Sequence, residues 1–162
     1  MDSREAIKIG IDMAAMVCGA YLGYLSNEEM MKRPPGCNHI NWQVGHLIAS
    51  EHGMVEGVAP GHMPALPDGF KEKYTKETTG SDNPSDFHSK DELMKLAEEC
   101  RAGTLKALAA TSDEQLLGPA PESMQSYAPT VAAALAMQGS HWLMHCGQWV
   151  VVRRALDKPI VI

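Results

Sequence analysis

The sequence predicts an all-α protein, a four-helix bundle with a long crossover connection between its second and third helices. Two observations predict it. Apolar residues recur at steps of three and four in four separate segments, and no segment alternates in the manner of a strand pair. Chain breakers fall between those segments: Pro34-Pro35-Gly36, a Pro-, Gly- and Ser-bearing stretch over 57–88, and Gly118-Pro119. At 162 residues the chain fits a single domain, 1–162, with enough core to stand without disulfides.

Ile7, Ile11, Ala14, Cys18, Tyr21 and Leu25 make one apolar stripe, which predicts a first helix over about residues 3–25. A second helix is expected to start after Asn38, a favoured N-cap residue, and to carry Ile40, Val44, Leu47 and Ile48. The 57–88 stretch holds four prolines and no sustained period. One short helical turn is expected there, near Phe70 to Lys76. A connection this long inside one domain is often functional, and here it is expected to act as a strap that also walls a pocket.

Ser89-x-x-Glu92 is a capping box. It opens a third helix whose stripe is Leu93, Leu96, Ala97, Cys100, Ala107 and Leu108. Thr111-x-x-Glu114 reads as a second box, opening a short turn stopped by Gly118-Pro119. The last helix is expected from about Pro129, a favoured first-turn residue, to about Leu156. Arg153 and Arg154 complement the dipole at its C-terminal end. Gly139 and Gly147 are expected to admit a neighbouring helix, while Glu98, Glu99 and Arg101 read as a solvated face of helix three.

Composition excludes several classes. Apolar residues are 44% and charged residues 21%, which is neither disordered nor membrane-like. A net charge of −6, with no basic cluster longer than a pair such as Arg153-Arg154, argues against a nucleic-acid partner. The opening MDSREAIKIGIDM lacks a signal peptide's apolar run, and no apolar stretch reaches the length of a membrane span. A cytoplasmic protein with no membrane partner is the expectation. Cys18, Cys37, Cys100 and Cys146 lack CxxC spacing and read as reduced buried thiols.

The chemistry concentrates on His141-x3-His145 in the last helix. Residues four apart share a helix face, so both imidazoles can reach one metal ion. His46, on helix two, could complete a three-histidine set with open coordination positions, the arrangement of a catalytic metal. The competing reading is a group of core histidines, each satisfied by its own hydrogen bonds. Gln138 and Gln148 share the face of His141 and His145, whereas Trp142, Cys146 and Trp149 share a neighbouring packing face. His39 and His52 are expected near water at the ends of helix two, and His62 and His88 solvated in the long loop. Glu51 lies about 140° around the helix from His46 and is a poor co-ligand. HExxH is absent, which excludes the metalloprotease pattern. Cys146 adjoins His145 but points about 100° away from it, and reads as structural.

The segments RPPGCNHINWQVGHLIASE (33–51) and HWLMHCGQWVVVRRALDKP (141–159) resemble the two signature stretches of the DinB-like family. These are an aromatic followed by Gly-His-Leu, then His-x3-His with Gly-Gln and an Arg-Arg-x-Leu-x-x-Pro ending. Leu-Ser-x-Glu-Glu at 25–29 and Thr-Ser-Asp-Glu-Gln-Leu at 111–116 are further points of likeness. The resemblance implies a four-helix bundle with a long crossover, a divalent ion held by His46, His141 and His145, and a homodimer. The ion in similar proteins is nickel, zinc or iron. Similar proteins include mycothiol-dependent maleylpyruvate isomerases, bacillithiol transferases and the N-terminal regions of iron-dependent thiol-histidine synthases.

The expected function is therefore a metal-dependent enzyme acting on a small-molecule substrate, moving a low-molecular-weight thiol onto an electrophile. A hydrolase, and a non-catalytic metal-binding stress-response bundle, are the alternatives. Gln148, one turn beyond His145, is expected to orient a bound ligand or an imidazole. Trp42, one turn before His46, is expected to wall the pocket.

Overall fold

In the computed structural model, which describes residues 2–161, the chain is all-helical. Four long helices dominate: α1 (Ser3–Gly23), α3 (Ile40–Val58), α4 (Lys90–Ala110) and α6 (Val131–Ala155). Two short ones, α2 (Asn27–Met30) and α5 (Asp113–Leu117), sit in the connections. The Ser26–Glu29 capping box sets α2, a turn that no apolar period reveals because it is only four residues long.

Contacts along the helices fix their directions. Gly10 backs onto Gly139, the Cys18 and Cys146 thiols are hydrogen-bonded, and Arg153 donates to the Tyr21 carbonyl at 2.8 Å. These pairs rise together, so α1 and α6 run parallel. A Cβ on Gly139 would stand 2.9 Å from the Gly10 carbonyl oxygen, so only a glycine permits this approach. Gly147, by contrast, faces open space, and the expected second close approach is absent.

Between α3 and α6 the pairs run oppositely. Gln43 meets Trp149, Glu51 meets Trp142, and Met54 meets Gln138. Between α3 and α4 they rise together again, from Asn41 with His88 to Glu51 with Thr104. Parallel neighbours cannot be joined by a tight turn. The chain must return along the helix, which is why residues 59–89 separate α3 from α4. This connection contains three 3-10 turns, Lys71–Tyr74, Lys76–Thr78 and Pro84–Asp86, where one was expected.

The boundaries correct three expectations. The N-cap of α3 is His39, whose Nδ1 accepts from the Trp42 amide at 3.0 Å, not Asn38. The second capping box is Ser112 with Gln115, one residue beyond Thr111, whose hydroxyl instead donates back to the Ala107 carbonyl. Helix α6 begins at Val131 under a Thr130 cap, because Pro119 and Thr130 pair as an isolated bridge first.

The main core runs from Cys18, Leu22 and Leu25 through Trp42, Leu47 and Ile48 to Leu93, Trp142 and Trp149. Contrary to the expectation that no stretch reaches the length of a span, helix α1 is long and apolar enough, by length and composition alone, to cross a membrane. Its stripe of Ile11, Ala14, Cys18 and Tyr21 nevertheless has a place within the fold, buried along α6. Arg153 lies in the last turn of α6 as expected, and it is 1% exposed and also ties the end of α1 to the Pro159 carbonyl.

Candidate metal centre

His46, His141 and His145 come together, each offering a ring nitrogen within 4.8 Å of the other two. Helix α3 supplies the first and α6 the others, one turn apart. The ring centroids lie 5.6 Å (His46–His141), 5.5 Å (His46–His145) and 5.0 Å (His141–His145) apart. Among the described residues this is a group that could hold a metal ion, and its donors suit a borderline-soft divalent cation.

Electrostatics keep the donors ready. Burial pushes His145 down to about 4, with help from His141 and His46, while burial lowers His46 and His141 in the same direction. All three imidazoles are then neutral near pH 7, the form in which a nitrogen lone pair can bind a metal.

Two of the rings are held from behind. A ring nitrogen of His46 donates to the Tyr74 carbonyl, and His145 Nδ1 lies 3.1 Å from Gln43 Oε1. Trp42 stacks on His46 with centroids 5.1 Å apart and planes 4° from parallel. Its indole donates to Thr78 Oγ1 at 3.0 Å. The 59–89 connection thus touches both Trp42 and His46. The glycine beside His46 makes this possible, because the Tyr74 ring packs directly against Gly45. Behind Tyr74, its hydroxyl bonds to His88 Nδ1 at 3.1 Å and Phe70 lies 4.9 Å away.

Several sequence-level placements change. Gln148 is exposed at the surface, and the glutamine that reaches an imidazole is Gln43 from α3. Gln43 stands three residues before His46 in the same helix, a spacing that signals a shared face. His39 is fully buried rather than wet, with its ring 5.0 Å from Phe87. His88 is half-buried against Tyr74, and His52 bonds to the Pro64 carbonyl. These histidines hold the connection; none joins the metal group.

Glu51 is not a ligand either, but it is far from idle. It is 1% exposed and accepts from Thr104 Oγ1 at 2.6 Å and Trp142 Nε1 at 2.7 Å, with Arg101 at 3.3 Å. Burial raises its pKa while Arg101 opposes the rise. Arg101, expected on a solvated face, instead lies over the Trp142 ring. Glu98 and Glu99 remain exposed.

A separate cavity of about 480 Å³ between α1 and α4 is lined by Cys18, Arg101 and Trp142 and includes none of the three histidines. On the other side, a shallow groove of about 770 Å³ reaches His141 and is lined by Tyr127, Met137 and Met144.

Fold and site together define an all-helical protein with a candidate three-histidine metal centre between two antiparallel helices. The chain belongs to the DinB superfamily, whose family model matches residues 13–149. Comparison with curated proteins and with solved structures gives no match.

Proposed function

We propose that this chain is a divalent-metal-dependent enzyme built as a four-helix bundle with a crossover. In this reading it transfers a low-molecular-weight thiol to an electrophilic small molecule. The observation that carries the reading is the convergence of His46, His141 and His145, with neutral imidazoles and two outer nitrogens already engaged. A nickel, zinc or iron ion held there would supply Lewis acidity, lowering the pKa of a thiol or water brought to its open positions.

The chain's own residues favour the thiol over water. Direct hydrolysis calls for a general base beside the ion. Among the described residues the buried carboxylate nearest in sequence to His46, Glu51, is committed to Arg101, Thr104 and Trp142. The groove reaching His141 is lined by Tyr127, Met137, Met144, alanines and a serine, with no charged side chain. Such a surface suits an uncharged, largely apolar electrophile. Trp42 and the 59–89 connection cover one side of His46.

A homodimer belongs to the same proposal. Helix α1 exposes Ile9, Met13 and Met16, at 50%, 53% and 65%, an apolar face of the kind that marks association. Light scattering should give twice the chain mass.

Elemental analysis of untagged protein, beside His145→Ala, tests the reading. About one nickel, zinc or iron per chain, lost in the variant, is the expected result for a single catalytic site. Thiol and electrophile pairs would then be screened for turnover. No bound ion after reconstitution with each metal would leave a histidine-rich helical core. A bound ion whose removal lowers Tm sharply, with no ligand-accepting position, would mark a structural staple between α3 and α6.

A further inference from the structure

Trp149 decides which end of the Gln43 amide faces His145. An indole N–H only donates. Trp149 Nε1 lies 3.0 Å from the same Gln43 atom that sits 3.1 Å from His145 Nδ1. That atom is therefore the carbonyl oxygen. The other end of the amide agrees, since Gln43 Nε2 donates to the Asn38 carbonyl at 2.7 Å, an acceptor that the amide oxygen could not face. An amide oxygen only accepts. His145 Nδ1 must then carry the hydrogen, and in the neutral ring the lone pair falls to Nε2.

Gln43 and Trp149 are fully buried and His145 nearly so, which shields these bonds from solvent. Asn38 sits just before α3, Gln43 in its first turns, and Trp149 one turn beyond His145 on α6. The arrangement therefore spans both helices that supply the histidines.

We propose that Gln43 is a positioning residue: oriented by Trp149 and the Asn38 carbonyl, it holds His145 as the Nδ1–H tautomer and presents its Nε2 lone pair to His46 and His141. The purpose of this device rests on the metal-site reading; its geometry does not. A ligand nitrogen set in advance spares the site a tautomer change on binding, and outer partners of metal-binding histidines are commonly worth 10- to 100-fold in affinity.

Nitrogen NMR of metal-free, ¹⁵N-histidine-labelled protein near neutral pH reads the tautomer directly. Free histidine in water favours the proton on Nε2. The expected wild-type result for His145 is the reverse, Nδ1 protonated and Nε2 bare. Gln43→Leu should lose that preference and weaken zinc binding by about 10- to 100-fold in a chelator competition. Gln43→Glu, whose carboxylate also only accepts, should keep the tautomer.

If Gln43→Leu does not fold, the wild-type and Gln43→Glu spectra decide alone. A wild-type proton on Nε2 overturns the proposal. So does a folded Gln43→Leu with the Nδ1–H tautomer and zinc affinity intact. A wild-type Nδ1–H tautomer in a protein that binds no zinc, nickel or iron supports the positioning role while removing the metal reading.

Discussion

The Tyr74 ring occupies the space that a side chain on Gly45 would need: a Cβ there would stand 2.1 Å from Tyr74 Cε1. Through this contact the long connection lies flat on α3 and its Tyr74 carbonyl meets the His46 ring. Gly45→Ala should therefore do two things. Overpacking against an aromatic ring pinned by Phe70, Phe87 and His88 should cost about 1–3 kcal/mol in urea denaturation. The displaced carbonyl should also weaken metal binding. Stability lost with metal affinity retained would separate Tyr74 from the site.

Metal should stabilise the fold by mass action. At a free zinc concentration 100-fold above Kd, the native state gains about 2.7 kcal/mol. The corresponding rise in Tm should vanish in His46→Ala and in His141→Ala. An equal rise in both variants would mean that the ion binds elsewhere.

Acid should destabilise the metal-free protein earlier than carboxylate chemistry alone would. His145, held down to about 4, and His46 and His141, lowered in the same direction, are neutral when folded. Unfolded histidine takes its proton near pH 6.5. Between those values the unfolded chain binds more protons, so stability is full above pH 6.5 and is lost as pH falls toward 4. Buried His39, lowered by burial, adds to the same slope. Melting temperatures across this window should fall steadily in wild type and less steeply in a His145→Ala variant.

Glu51→Ala should be the most damaging single change outside the histidines. It leaves Arg101 without its carboxylate and removes the acceptor for Thr104 and Trp142. Breaking a buried pair from one side costs about 3–5 kcal/mol. Urea denaturation measures it, and a loss under 1 kcal/mol would mean that water replaces the carboxylate.

The helical class, all four long helices and the three-histidine group were legible in the sequence. The helices and the histidine pair rest on local periods: steps of three and four for the stripes, four residues between His141 and His145, Ser89 and Glu92 for the start of α4. His46 joined the pair through the family resemblance. Local rules also placed Trp42 one turn from His46, where stacking follows from helix geometry. They misplaced caps by one residue, at Asn38 and Thr111, because Asn38/His39 and Thr111/Ser112 are adjacent pairs in which both residues can cap.

Apart from the joining of His46 to His141 and His145, which the family resemblance implies, what lay beyond the sequence was the partnership of segments distant in the chain. Gln43 and Gln148 look alike as neighbours of a histidine, yet only Gln43 faces across from α3 to His145. Arg101 and Glu51 are 50 positions apart, and Arg101 reads as solvated until the parallel packing of α3 and α4 brings it to the buried carboxylate. Nothing local to α3 marks Gly45 as the place where the Tyr74 ring packs. Helix periodicity is set by bonds four residues apart and so is written locally. The pairing of faces is set by burial and by the satisfaction of buried polar groups, which only the packed chain brings together.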